Sequence, residues 1–495
     1  MKDNSFETSS RKYIFLLFGF IFIATLVFFS YIHPVTIVSG DDWGNLARYR
    51  SALPEWGGFN PVKAVPEISF PIVARFSSLV LMKFGMNFFF AISITTALIT
   101  SVLCTIFLYN FFVLISEKSK EQIVTASTCT FIYFLFMFGF FKSEGVTNSY
   151  YLLWEINITC FYHYLFPALI NGSFVLFLMN KENCRAYHKK CSVNFLIATS
   201  IVTYICIFSN VFASVILASY CGSVILLSFL SNKFNVIKTA REKNLQIYIS
   251  IVWLISILFE MNGGRASQIE GASLDISGSV NKLWLFIGSA NSWYMALIYI
   301  GVVAGLLIAI GDLLRRKSSC FSMTYITTFI SWIFSAIALI LLCAKASSSY
   351  AERPVAMWAF YMYPIVLSLY SVHYFSARYK LVAIILPIYA FILFNIATMP
   401  QSSLRESQNL NLTYEKATQI GELVISQVTD AINSGKSEVS VLVPKGDDRD
   451  NWPFPVYNGK KIENALLDNN IIDRKIKITI TPDPSLNERL GIPKS

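Results

Sequence analysis

The chain is a train of uncharged apolar runs, most of them 20 residues or longer, separated by short charged segments. A hydrocarbon layer about 30 Å thick is crossed by roughly 20 helical residues, so such runs are long enough to span it. Composition agrees. Of 495 residues, 55% are hydrophobic and 14% are charged, where an average soluble domain carries about 25% charged residues. A soluble globular enzyme, a disordered chain and a disulfide-rich secreted domain are therefore excluded. The net charge of +10 is then a signal of topology, and no nucleic-acid partner is expected.

The runs cover 13–40, 86–116, 122–141, 157–180, 191–232, 244–259, 283–311, 319–344, 354–377 and 381–400. The fifth is too long for one crossing and reads as a hairpin turning at Ser209–Asn210, which makes eleven crossings in all. The first follows Arg11 and Lys12 and reads as a signal anchor. With the N-terminus in the cytoplasm, the inner segments hold 18 basic and 7 acidic residues, and the outer loops hold 10 of each. That bias follows the positive-inside rule and puts residues 401–495 on the outer side.

This tail has structure of its own. Tyr414, Ala417, Ile420, Val424, Val428 and Ala431 share a helical face over 411–432. A strand is predicted over 437–443, ended by Pro444, then a short helix over 461–467 and a strand over 475–481. The expected fold class is an all-α polytopic membrane protein of about eleven transmembrane helices, residues 1–400, with a small α/β domain at 401–495. Nine cysteines are scattered, most within apolar runs, and read as small apolar residues. The four His are too dispersed for a metal site.

Residues able to carry chemistry lie in the outer loops. Ser39-Gly40-Asp41-Asp42-Trp43-Gly44 follows the first run directly. A low dielectric and like charge raise the pKa of at least one carboxylate in such a pair. That carboxylate can take a proton from an attacking hydroxyl or hold a metal. Asp is also a favoured N-cap, and both roles stay open. The rest of the first outer loop, 41–85, is too polar to cross. Its stretch 70–84 is amphipathic and predicts helices along the interface. There Arg75 and Lys83 either hold a lipid phosphate or snorkel to headgroups.

The second outer loop brings Tyr150, Tyr151, Trp154 and Glu155 together. Rings beside a carboxylate suit a sugar, and they also suit an interfacial belt; a membrane-edge charge such as Glu155 calls for a partner. The third begins Glu260-Met261-Asn262-Gly263-Gly264-Arg265. Its glycines allow a tight turn that presents Arg265 for a bidentate phosphate contact or leaves it solvated. The fourth carries Lys345 and then Glu352-Arg353, a local ion pair or part of the same cluster. Nucleotide-binding Gly-rich loops, His-Glu metal helices and Gly-x-Ser-x-Gly elbows are absent from the sequence.

An acidic pair opening the first outer loop, interfacial helices, many crossings and an external C-terminal domain resemble the GT-C glycosyltransferase superfamily. Within it, the chain is most similar to the phage-encoded serotype-converting O-antigen glucosyltransferases of enteric bacteria. The resemblance rests on Gly40-Asp41-Asp42-Trp43, on Asn262-Gly263-Gly264-Arg265, on Glu352-Arg353 before a late crossing, and on the tail helix followed by Val441-Leu442-Val443-Pro444. Related chains have a Pro-Gly-Asn-type turn with a slightly later Arg where this one has Gly263-Gly264-Arg265.

The resemblance implies an inverting transfer of glucose from undecaprenyl-phosphate glucose to a hydroxyl of lipid-linked O-antigen. The site is the periplasmic face of the bacterial inner membrane. It implies Asp41 or Asp42 as general base, Arg75, Arg265, Lys345 and Arg353 as phosphate ligands, and Trp43, Trp154 and Glu155 as sugar contacts. Glu260 and Glu352 complete the expected substrate-binding set. The expected partners are the lipid-linked donor and acceptor, membrane lipids, a donor flippase and a donor synthase. No organic cofactor is expected, and a divalent metal is left open. The rival readings are a flippase of lipid-linked sugars, which needs mid-membrane polar residues and often a repeat, and an O-antigen polymerase.

Overall fold

The computed structural model describes residues 2–47, 50–58, 61–116, 120–141, 150–155, 157–183, 193–264, 273–315, 319–398 and 412–492. Helix α1 (Lys2–Val27) runs on through a π-helical turn, Phe28–Ile32. Short α2 (Gly40–Ala47) precedes α3 (Ala64–Leu79), which ends in a 3-10 turn at Leu81–Phe84. Then come α4 (Phe88–Ile115), α5 (Lys120–Gly139) and α6 (Ile158–Glu182). A hairpin of α7 (Val193–Ile207) and α8 (Val211–Ser231) leads through α9 (Val236–Glu242) to α10 (Asn244–Met261). Helices α11 (Ile276–Ile287), α12 (Ser292–Leu314), α13 (Cys320–Ala346), α14 (Trp358–Ser376) and α15 (Lys380–Thr398) complete the bundle.

Among the described residues, each of the ten apolar runs is mainly helical, and the hairpin bends where Ser209–Asn210 predicted it. Among the described residues, ten helices are long and apolar enough to cross a membrane, which makes this a multi-pass membrane protein. The ten are not quite the expected set. Helix α7 has only 15 residues, and α14, rich in Tyr and Ser, is absent from the ten, while Ala64–Phe84 is among them. Arg75, in the second half of α3, donates from Nε and Nη2 to the Asp468 carbonyl of the tail at 3.1 and 2.8 Å. The 64–84 segment is thus tied through Arg75 to the C-terminal tail.

A second difference concerns the expected crossing at 283–311. Leu283–Ile287 belongs to α11, which is separate from α12. The break falls at Gly288–Asn291, where Asn291 caps α12 by accepting from Trp293 N at 3.0 Å. The cap repeats at the same end of the bundle: Asn87, Asn157 and Asn210 accept from Phe90, Cys160 and Phe212 at the starts of α4, α6 and α8. Each Asn satisfies an N–H that the helix itself leaves open.

Burial sorts the helices. In α6, 83% of its most apolar window is buried, against 17% in α1, α10 and α15, so α6 is central and the other three are peripheral. Gly301 of α12 meets the Ser368 backbone of α14 so closely that an added Cβ would stand 2.7 Å from its Cα. Small residues permit such close approach in membranes.

The tail forms α16 (Tyr414–Asn433), β1 (Glu438–Pro444), α17 (Gly459–Asp468), β2 (Lys477–Asp483) and α18 (Pro484–Leu490). The strands pair in parallel, Glu438 opposite Lys477 through Pro444 opposite Asp483. Parallel pairing requires a crossover, and α17 lies within it. The closing helix α18 was not predicted; Asp483 caps it through Ser485 N. The tail is seated on α2 and α3. Gly40 N donates to Pro453 O at 3.1 Å, Asn87 bonds Glu422, and Trp43, Val424 and Ile462 line the joint.

Candidate functional site

At the end of the bundle bearing the Asn caps, α2, the start of α3, the start of α6 and the turn before α14 converge. Asp42 ties them together. Its side chain is fully buried. Oδ2 accepts from Val38 N at 2.8 Å, Ser39 N at 2.9 Å and Ser39 Oγ at 3.2 Å, and Oδ1 accepts from Thr159 N at 3.0 Å. Burial raises the Asp42 pKa, opposed by the hydrogen bonds from Thr159, Val38 and Ser39. Asp41, about 100° further round α2, is exposed. It lies within electrostatic reach of Tyr457 of the tail, which is itself exposed. The pair is thus divided, one carboxylate turned into the bundle and the other to the seam with the tail.

Behind α2 lies a network of polar residues in buried surroundings. Glu67 of α3 accepts from Arg50 at 2.8 Å and faces His163 Nε2 at 3.7 Å. His163 Nδ1 sits 2.8 Å from the Thr159 carbonyl. A carbonyl only accepts, so Nδ1 carries a proton. Beside this network, Lys63 Nζ stands 5.9 Å from the ring centre of Tyr164, and the Arg353 guanidinium 4.7 Å from that of Tyr350. The two rings are 6.1 Å apart, with Phe212 against both. Two cations therefore bracket an aromatic row. Lys63, Arg353, Glu155 and Asp42 all lie within electrostatic reach of Cys160 on α6.

The sequence-predicted residues scatter around this centre. Glu155 is buried within electrostatic reach of Arg353. Arg353 Nε is buried without a hydrogen-bond acceptor among the described residues. Glu352 points elsewhere and pairs with Lys282 of α11 at 3.6 Å, so Glu352-Arg353 is not a local ion pair. Arg75 clasps the tail. Lys345 is exposed at the end of α13. Trp43 is buried against Phe89, and Trp154 against Tyr150, so neither ring offers a free face. Glu260 ends α10 with Oε2 buried. Arg265 lies outside the described residues; before it, Gly264 N bonds Gly58 O at 2.9 Å. Sequence reasoning passed over Glu67 and His163, whose signal was a charge and an imidazole each placed just inside an apolar helix.

Among the described residues, no group of three or more His, Cys, Asp or Glu could hold a metal ion. The Asp41–Asp42 pair does not fit one either, because Asp42 oxygens are already engaged by four donors.

No family model matches the chain, and no curated protein matches it. Among solved structures, it is similar to a crystal structure of the Archaeoglobus fulgidus oligosaccharyltransferase in complex with Zn and sulfate. The TM-score is 0.44 at 12% identity, over 85% of this chain and 56% of that one. The chain thus spans a little over half the length of that protein.

Proposed function

We propose that the protein is a membrane glycosyltransferase of the GT-C kind that takes its sugar from a polyprenyl-phosphate donor. The observation that carries this reading is the pair of cations, buried Lys63 and half-buried Arg353, bracketing Tyr164 and Tyr350 in the neighbourhood of Asp42 of α2. Cations in low-dielectric surroundings suit a departing phosphate monoester, which leaves with the bonding electrons and needs charge compensation but no proton. Rings between them suit a sugar face or the first prenyl unit.

The general base is Asp41. Asp42 is enclosed and serves to pin α2 against α6, whereas Asp41 is open to an arriving hydroxyl at the seam with the tail. Asp41 takes the hydroxyl proton as its oxygen bonds the anomeric carbon and the carbon–phosphate-oxygen bond breaks, inverting the centre. The finer assignment follows the family resemblance: glucose as the sugar, undecaprenyl phosphate as carrier, lipid-linked O-antigen as acceptor and serotype modification as outcome. The setting is the periplasmic face of the inner membrane, with a donor synthase and flippase upstream. Against a flippase stands the placement of charge: in the crossing helices, Asp, Glu, Lys and Arg fall only near the ends. The test is glucose transfer in proteoliposomes from polyprenyl-phosphate glucose to lipid-linked O-antigen, with and without chelator. Turnover by wild type and none by Asp41→Asn supports the reading; no donor consumption by well-folded wild type overturns it.

A further inference from the structure

Among the described residues, a roomy cavity lies at the opposite end of the bundle, away from the site described above. Helices α8 and α13 pack closely where Phe334 meets Gly222, then part toward the end of α8 and the start of α13. The gap between them is a cavity of about 430 Å³, floored by the end of α6. Its walls change character with depth. Val224, Leu227 and Met323 line it with apolar surface, while Glu182, Glu242 and Lys243 bring charge. Lys243 Nζ is 3.1 Å from Glu182, and Glu242 accepts from Asn232 at 2.7 Å. Helices α6 and α8 end here and α13 begins here, so helix-end potentials of both signs meet at the cavity.

We propose that this cavity holds one glycerophospholipid of the inner leaflet by a phosphoethanolamine headgroup. A lining of two carboxylates and one ammonium matches a zwitterion, with the lipid phosphate toward Lys243 and the lipid ammonium toward Glu242. The ammonium is primary. Ser231 and Thr327 offer further acceptors for its N–H groups, and the ring cage that a quaternary ammonium favours is not formed by the single Tyr220 of this lining. A headgroup with an anionic phosphate and no amine uses Lys243 and the α13 start but leaves Glu242 and the α6 and α8 ends without a ligand cation. The apolar wall between α8 and α13 receives the first part of the acyl chains.

The test is native mass spectrometry of the purified full chain, offered equal amounts of phosphatidylethanolamine, phosphatidylglycerol and phosphatidylcholine. One phosphatidylethanolamine is retained by wild type, about tenfold over either competitor, as expected for one charge-assisted hydrogen bond. Glu182→Gln with Glu242→Gln abolishes that preference, and Thr327→Phe, which fills the cavity, abolishes the adduct. Equal retention of the three lipids by wild type, which needs no variant to fold, overturns the proposal. So does persistence of the adduct in a monodisperse Thr327→Phe protein. Donor turnover is not read, so the result stands apart from the reading of the other end.

Discussion

Asp41 and Asp42 are adjacent and identical, yet substituting them should damage different properties. Asp42→Ala removes the acceptor for three backbone N–H groups, those of Val38, Ser39 and Thr159. Ser39 and Thr159 are buried, and an orphaned buried donor costs about 1–3 kcal/mol. Part of this is offset, because the variant no longer buries a carboxylate whose pKa burial has raised. The net loss is about 3 kcal/mol, with an apparent Tm lowered by roughly 3 °C. Asp41→Asn leaves that network whole. Its Tm should match wild type, while loss of a general base lowers kcat by about 10²–10⁴-fold. The assay pairs thermal unfolding in detergent, followed by tryptophan fluorescence, with glucose transfer on the same preparations. An Asp42→Ala protein with unchanged Tm and no activity, beside an active Asp41→Asn, would refute the division of roles.

Further outcomes follow from single contacts. Arg353→Ala should slow transfer by at least about tenfold by withdrawing compensation from the leaving phosphate, with Arg353→Lys recovering part of it; unchanged kcat would remove Arg353 from the site. Because the native Asp42 pKa lies above its ordinary 3.8, the folded state holds that proton more tightly than the unfolded state does. Stability from this group is therefore present at low pH and lost as pH rises through the raised value, so wild-type Tm should fall more steeply with rising pH than that of Asp42→Asn. Gly459→Ala would set a Cβ 2.0 Å from the Ile478 carbonyl oxygen and should destabilise the tail by about 1–3 kcal/mol, seen as faster proteolysis at 459–483. Arg75→Ala, which frees an exposed clasp on Asp468, should loosen the tail to protease without changing donor KM; a raised KM would make Arg75 a phosphate ligand after all.

The bundle was legible because its signal is local. An uncharged run of 20 residues meets a membrane in one way, and Ser209–Asn210 interrupts the longest run with a ready helix cap. The tail was legible for the same reason, its helical and alternating patterns each fitting within about 20 residues. The split between α11 and α12 was missed because Leu283–Ile287 is as apolar as the crossing it precedes, and only the cap at Asn291 sets the true start.

The site was less legible because its order is not local. Hydropathy marks the side of the membrane on which a charge lies, but not which charge it meets. Arg50 finds Glu67 seventeen positions away, and Glu67 faces His163 across two helices. Arg75 and Arg353 are the same residue type in loops of the same side, yet one holds a tail carbonyl and the other a tyrosine ring. The acidic pair makes the point most sharply. Sequence gives Asp41 and Asp42 equal claims, and a helix separates them by about 100°. What assigns them is what packs on each side. The start of α6 supplies Thr159 N to Asp42, and the tail supplies Tyr457 opposite Asp41. On the proposed reading the tail is therefore part of the site, since its Tyr457 stands on the side of α2 that carries exposed Asp41.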